Sequence, residues 1–116
     1  MITHDIFTFG SNRLGVHGAG AALAARQYHG AIYGQGEGLQ GNSYAIPTKA
    51  TPYRTLLLPE IAVHIERFKT FAASRLDLTF NVTPVGCGYA GYKREQIRPM
   101  FEPLPPNCRF SPEWTE

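Results

Sequence analysis

Three clusters of glycine hold the residues of this chain whose types and spacing fit a chemical task. The first runs Gly10-Ser11-Asn12 and on through Gly15, His17, Gly18, Ala19 and Gly20; the second spans Gly34 to Ser43 as GQGEGLQGNS; the third is GCGYAGY, Gly86 to Tyr92. Glycine backbone approaches a ligand closely, and a run of its N–H groups beside a helix N-terminus can hold a diphosphate without many basic side chains. Ser11 and Asn12 suit two tasks there, capping a turn or contacting a ligand. Tyr89 and Tyr92, on the third cluster, offer rings that could stack on a base or cover a ribose. The alternative for any one glycine is a turn or a tight helix–sheet contact.

Loops of this kind need rigid elements to aim them. DIFTF (Asp5 to Phe9) alternates apolar and β-branched residues and reads as a strand entering the first cluster, with Phe7 and Phe9 as core. GAGAALAARQY (Gly18 to Tyr28) follows as an alanine-rich helix. AIY (31–33) reads as a short strand, Gly34 to Ser43 as an irregular loop, and SYAIPT (Ser43 to Thr48) as a strand with Pro47 at its end or at a sheet edge. Pro59 and Glu60 open a helix in which Ile61, Ile65, Phe68 and Ala72 share one face. LTFNVTPVG (Leu78 to Gly86) is a strand running into the third cluster; a short helix over Arg94 to Phe101 and a strand at Cys108 to Phe110 complete the chain, with PLPPN (Pro103 to Asn107) as a turn. His29 and His64 fall on helix surfaces and receive no role.

Strands alternating with helices predict an α/β fold with a sheet covered on both faces. Ligands of such sheets bind beyond the carboxyl ends of the strands, where the first and third clusters fall, with the second expected to close over them. With 116 residues the chain reads as one domain, and 43% apolar with 17% charged residues is a folded, soluble composition. The opening MITHD lacks a signal-peptide pattern, so the expected location is cytoplasmic, away from membranes. A net charge of +2, with scattered basic residues, is too mild for electrostatic nucleic-acid binding; Lys93-Arg94, beside a glycine loop, reads as a solvated helix start, with an anion contact as the alternative. Cys87 and Cys108 read as free thiols, and no metal-ligand pattern or cofactor requirement is visible. G-x-x-x-x-G-K-[ST] is absent, and GAGAAL (Gly18 to Leu23) alone is a weak dinucleotide fingerprint in a chain too short for a second nucleotide-binding half.

The loops resemble those of macro domains, α/β modules that bind ADP-ribose. FGSN (Phe9 to Asn12) stands where that family has an N-A-A-N-like segment, VHGA (Val16 to Ala19) where it has V-D-G-A, and GCGYAGY where it has an S-T-G-I-Y-G-Y-like loop. The chain is most similar to short bacterial and phage-borne proteins of the form F-x-F-G-S-N…H-G-A-G-A-A…S-Y-A-I-P-T…P-x-G-C-G-x-A-G-Y. The resemblance covers all but roughly the last dozen residues. It implies a three-layer α/β/α sandwich with a mixed central sheet, a site formed by Gly10 to Gly20 and Gly86 to Tyr92 including Cys87, Gly88, Ala90 and Gly91, and Ser43 as a secondary contact. It further implies ADP-ribose, free or attached to a macromolecule, as partner, with Asn12 at the distal ribose. Two departures bear on activity: the first glycine segment is several residues shorter than in typical members, and His17 replaces the aspartate that hydrolytic members often carry. An imidazole titrates near neutrality and could serve as acid or base in its place. Hydrolysis of an ADP-ribosyl bond, with Asn12 orienting substrate and His17 assisting water, is one reading. A non-catalytic binder of a nucleotide signal is the second, and an interaction module whose glycines are merely turns is the third.

Overall fold

The computed structural model describes residues 5–115, so the Met1–His4 start and Glu116 lie outside it. The elements follow in the order β1 (Asp5–Asn12), α1 (Gly20–Tyr28), β2 (Gly38–Gln40), β3 (Ser43–Thr51), β4 (Arg54–Thr55), α2 (Leu58–Ala73), β5 (Thr79–Val82), α3 (Arg94–Phe101), β6 (Cys108–Phe110) and a short 3-10 turn over Pro112–Thr115. The strands form one mixed six-stranded sheet in the order β2-β3-β1-β5-β6, with β4 also pairing β3. β1 runs parallel to β3 and β5, and β5 parallel to β6; β2 and β4 lie antiparallel to β3. The expectation of an α/β fold holds.

Alternation along the strands sorts the two faces. Ile6, Tyr44, Ile46, Phe80 and Val82 turn to one face, where Ile61, Ile65, Phe68 and Ala72 of α2 and Ile97 and Phe101 of α3 complete the main core. Phe9 and Ala45 turn to the other face and meet Ala22 and Ala25 of α1, with Phe7 packed at the margin. Edge-to-face contacts from Phe68 to Tyr44, Phe80 and Phe101, at 5.1, 5.4 and 6.0 Å, knit the larger core. Such pairs contribute about 0.5–1.5 kcal/mol each beyond area burial. At the start of α2 the Glu60 carboxylate accepts the Leu57 N–H at 3.0 Å, satisfying a donor that the helix leaves unpaired.

Several boundaries differ from the sequence reading. AIY is not a strand: the Ile32 N–H donates to the Gln40 side-chain oxygen at 2.7 Å and the Ile32 carbonyl bonds the His17 ring at 3.1 Å, so side chains take the groups a ladder would need. Gly38–Gln40 is instead a strand, hairpinned onto β3 through Gly41 and Asn42. β3 continues past Pro47 to Thr51, because Pro47 falls between the last β2 pairing, at Ala45, and the first β4 pairing, at Lys49. The strand before the third glycine cluster stops at Val82, short of Pro84. α1 starts at Gly20 rather than Gly18.

His64 is buried, not on a helix surface. Its Nδ1 lies 2.8 Å from Glu37 Oε2, Glu37 also accepts from Arg67 at 3.1 Å, and the Arg13 guanidinium stands 3.4 Å from the other ring nitrogen. With the Ser11 hydroxyl donating to the Gly36 carbonyl, this cluster clamps the Gly34–Glu37 segment against α2 and the end of β1. His29 stacks on Phe7 at 4.2 Å between ring centres, and partial burial lowers its pKa. Among the described residues no helix is long and apolar enough to cross a membrane.

Candidate functional site

The chain leaves β1 through α1 towards β2 and β3, and leaves β5 through α3 towards β6 on the other side. Neighbouring strands whose outgoing connections diverge leave a crevice at their carboxyl ends. A cleft of about 500 Å³ lies there, within the size range of small-molecule sites. Its floor is Gly10, Ser11 and Asn12 at the end of β1 with Thr83, Pro84 and Gly86 after β5. One wall is the start of α1, Gly18 to Ala22, and the other is Gly88, Tyr89 and Ala90.

Two sets of backbone donors border this cleft. α1 begins without a side-chain cap, and the N–H groups of Gly20, Ala21 and Ala22 have no partner among the described residues, the first bond being Leu23 to the Ala19 carbonyl at 3.2 Å. Across the cleft, Cys87, Gly91 and Tyr92 spend their N–H groups inside their own loop, whereas those of Gly88, Tyr89 and Ala90 have no partner among the described residues. The loop is braced from outside: Tyr92 donates its hydroxyl to the Leu56 carbonyl at 2.7 Å, and the Thr55 hydroxyl donates to the Ala90 carbonyl at 3.4 Å. Gly20 has φ +58°, and a β-carbon there would stand 2.8 Å from the Tyr89 ring, so only glycine lets the two walls approach this closely.

The sequence-predicted site residues divide into two groups. Gly10, Ser11, Asn12, Gly18, Ala19, Gly20, Gly86, Gly88, Tyr89 and Ala90 line the cleft; Gly15, His17, Ser43, Cys87, Gly91 and Tyr92 do not. Two of the lining residues spend polar groups on the protein itself: the Ser11 hydroxyl on Gly36, and the Asn12 amide on Val16, donating to its carbonyl at 2.8 Å and accepting its N–H at 3.1 Å. His17 is fully buried, edge-on to Phe9, with one ring nitrogen on the Ile32 carbonyl and Nδ1 without a partner among the described residues. Ser43 sits at the opposite end of the sheet, paired with Phe7, and donates to the Gln40 carbonyl at 2.7 Å. The second glycine cluster contributes nothing to the cleft lining, because Glu37, Gly36 and Gln40 tie it down elsewhere.

Sequence reasoning missed the segment Thr48, Lys49, Pro52 and Tyr53, and also Glu113. The pairing of β1 with β3 shifts between Ser11 and Asn12, leaving Thr48 as a bulge, and both Thr48 and its neighbour Lys49 reach the cleft. The Lys49 ammonium donates to the Pro52 carbonyl at 2.5 Å and so holds the tip of the β3–β4 hairpin. A proline-initiated turn in TPYR was the available signal for the hairpin; nothing in the sequence announces the bulge. Both cysteines are free and half-buried, and burial pushes the thiols up, that of Cys108 to about 11, so neither is an activated nucleophile. Among the described residues no group of His, Cys, Asp or Glu could hold a metal ion.

No family model, curated protein or solved structure matches the chain.

Asn12→Ala removes both bonds to Val16 and should cost roughly 1–3 kcal/mol of stability. Thermal melts and ligand titration of the same variant separate this role from ligand contact: a lower Tm with near-native affinity at low temperature is expected. A native Tm with lost affinity would make Asn12 a ligand contact instead.

Proposed function

We propose that this chain is a macro-domain-like three-layer α/β/α module that binds ADP-ribose or a related nucleoside diphosphate, free or attached to a macromolecule, without hydrolysing it. The observation that carries this reading is the pair of unpaired amide sets, Gly20 to Ala22 and Gly88 to Ala90, on facing walls of a cleft at the switch between β1 and β5. A helix N-terminus and a turn of free N–H groups both favour a negatively charged group between them. Lys49 and Glu113 bring one charge of each sign to the cleft lining, and a diphosphate held chiefly by amides agrees with the chain's mild net charge.

The non-catalytic form of the reading is favoured by where the two catalytic candidates spend their polar groups. His17 is sealed in the β1–α1 packing, and Asn12 is occupied in the turn after β1. General acid–base catalysis needs a titrating group within hydrogen-bond reach of the reacting atoms.

Calorimetric titration with ADP-ribose tests the binding, and incubation with a mono-ADP-ribosylated protein tests the chemistry. Saturable one-to-one binding is expected, with release of ADP-ribose no faster than in buffer. A His17→Gln variant should leave that background rate unchanged. Turnover by the wild type that falls on substituting His17 would restore the hydrolase reading, and absence of binding would remove both.

A further inference from the structure

His64 is buried on α2 between two charged side chains of opposite sign, Glu37 and Arg13. A guanidinium only donates, so the ring nitrogen 3.4 Å from Arg13 Nη2, which is Nε2, must accept. Nδ1 then carries the proton and donates it to Glu37 Oε2 at 2.8 Å. A neutral ring protonated on Nδ1 is the one form that satisfies both partners. A second proton, on Nε2, makes the Glu37 bond charge-assisted and sets a donor against the Arg13 donor.

Arg13 has another partner within reach. The same Nη2 lies 3.5 Å from Glu60 Oε2, one turn earlier on α2, and the Arg13 side chain is half-exposed, so it can change partners without moving the core. Arg67, one turn later, is held by Glu37 Oε1 at 3.1 Å. From β3, Tyr44 lies within electrostatic range of Glu37 and Arg67, and burial pushes its hydroxyl up to about 12, so it stays neutral. Among the described residues, the charges around His64 are therefore Arg13 from the loop after β1, Glu37 from the segment before β2, and Glu60 and Arg67 from its own helix.

The Arg13 contact connects this cluster to the cleft. Arg13 directly follows Asn12 on the cleft floor, and its N–H donates to the carbonyl of Lys49, another lining residue, at 2.9 Å. We propose that His64 is a proton-sensitive latch on the cleft floor. Neutral, it ties Arg13, and with it Asn12, to Glu37 and α2; protonated, it keeps Glu37 and releases Arg13 to Glu60. The latch is a property of the chain without ligand, so it stands or falls separately from the diphosphate reading.

NMR of the ligand-free protein from pH 8 to pH 5 tests it, following the His64 ring, the Arg13 side-chain Nε–H and the Asn12 amide in wild type, Arg13→Ala and His64→Gln. Glutamine offers one donor and one acceptor and does not titrate. In wild type the Arg13 and Asn12 signals should move along the His64 ring titration with one shared midpoint. Arg13→Ala should move that midpoint to higher pH, because a cation facing Nε2 opposes its protonation, and should flatten the Asn12 response. His64→Gln should abolish the movement of both signals. A ring that does not titrate in this range, an Arg13→Ala midpoint that is unchanged or lower, or an Asn12 signal that moves equally in His64→Gln overturns the latch. Should His64→Gln fail to fold, the midpoint in Arg13→Ala decides alone.

Discussion

Gly88→Val should lower affinity for ADP-ribose about a hundredfold or more while leaving Tm within about 2 °C of wild type. A β-carbon at Gly88 meets nothing within 4 Å, so the fold has room for the new side chain. The cleft does not, because Gly88 is part of its wall and its N–H is one of the free donors. A branched side chain there displaces an anion from those amides. Losing two charge-assisted hydrogen bonds at roughly 1.5–3 kcal/mol each accounts for the size of the effect. A Gly88→Val protein that melts normally and binds normally would show that the ligand does not use this wall.

Gly36→Ala should have the opposite signature, with stability lost first. A β-carbon at Gly36 would stand 2.4 Å from the Asn12 carbonyl oxygen and 2.6 Å from that of Arg13, both backbone atoms of the segment leaving β1. Backbone cannot swing aside as a side chain can, so the Gly34–Glu37 segment must lift. Lifting it strains the Ser11–Gly36 bond, the hydrogen bond between Glu37 and His64 and the ion pair from Glu37 to Arg67. Overpacking and broken buried bonds together should cost about 2–4 kcal/mol, read as a fall in Tm of roughly 10 °C or more. Chemical denaturation gives the same quantity independently. An unchanged midpoint would mean that the segment is not clamped as described.

How much of this was legible in the sequence depends on whether local or distant residues set each feature. α3 and β6 have the bounds expected from Arg94 to Phe101 and Cys108 to Phe110, and the apolar part of the buried face of α2 is the set Ile61, Ile65, Phe68 and Ala72. Periodicity and start signals decide those elements locally. The failures lie where a distant group claims the backbone. Ile32 loses its strand to the side chains of His17 and Gln40, and Gly38–Gln40 gains one from the edge of β3. His64 becomes a buried partner because Glu37 and Arg13 come to it from other segments.

The site follows the same division. Gly10 to Asn12, Gly18 to Gly20 and Gly86 to Ala90 were visible as glycine clusters at strand ends, and the sheet order brings the two runs to one cleft. Whether a side chain in such a run faces the cleft or the core was not visible. His17 turns into the Phe9 packing and Ser43 starts a strand at the far end of the sheet. Lys49 and Tyr53 reach the cleft through a bulge and a hairpin that depend on the register between β1 and β3.

Two-dimensional amide NMR during an ADP-ribose titration reads the proposed contacts themselves, since they are N–H groups. The amides of Gly20, Ala21, Ala22, Gly88, Tyr89 and Ala90 should shift saturably and together, with one dissociation constant, while those of Ser43 and of the exposed α2 face at Val63 and Thr70 stay in place. Absence of saturable shifts, or shifts centred on residues outside the cleft, would contradict binding of the ligand by these amides.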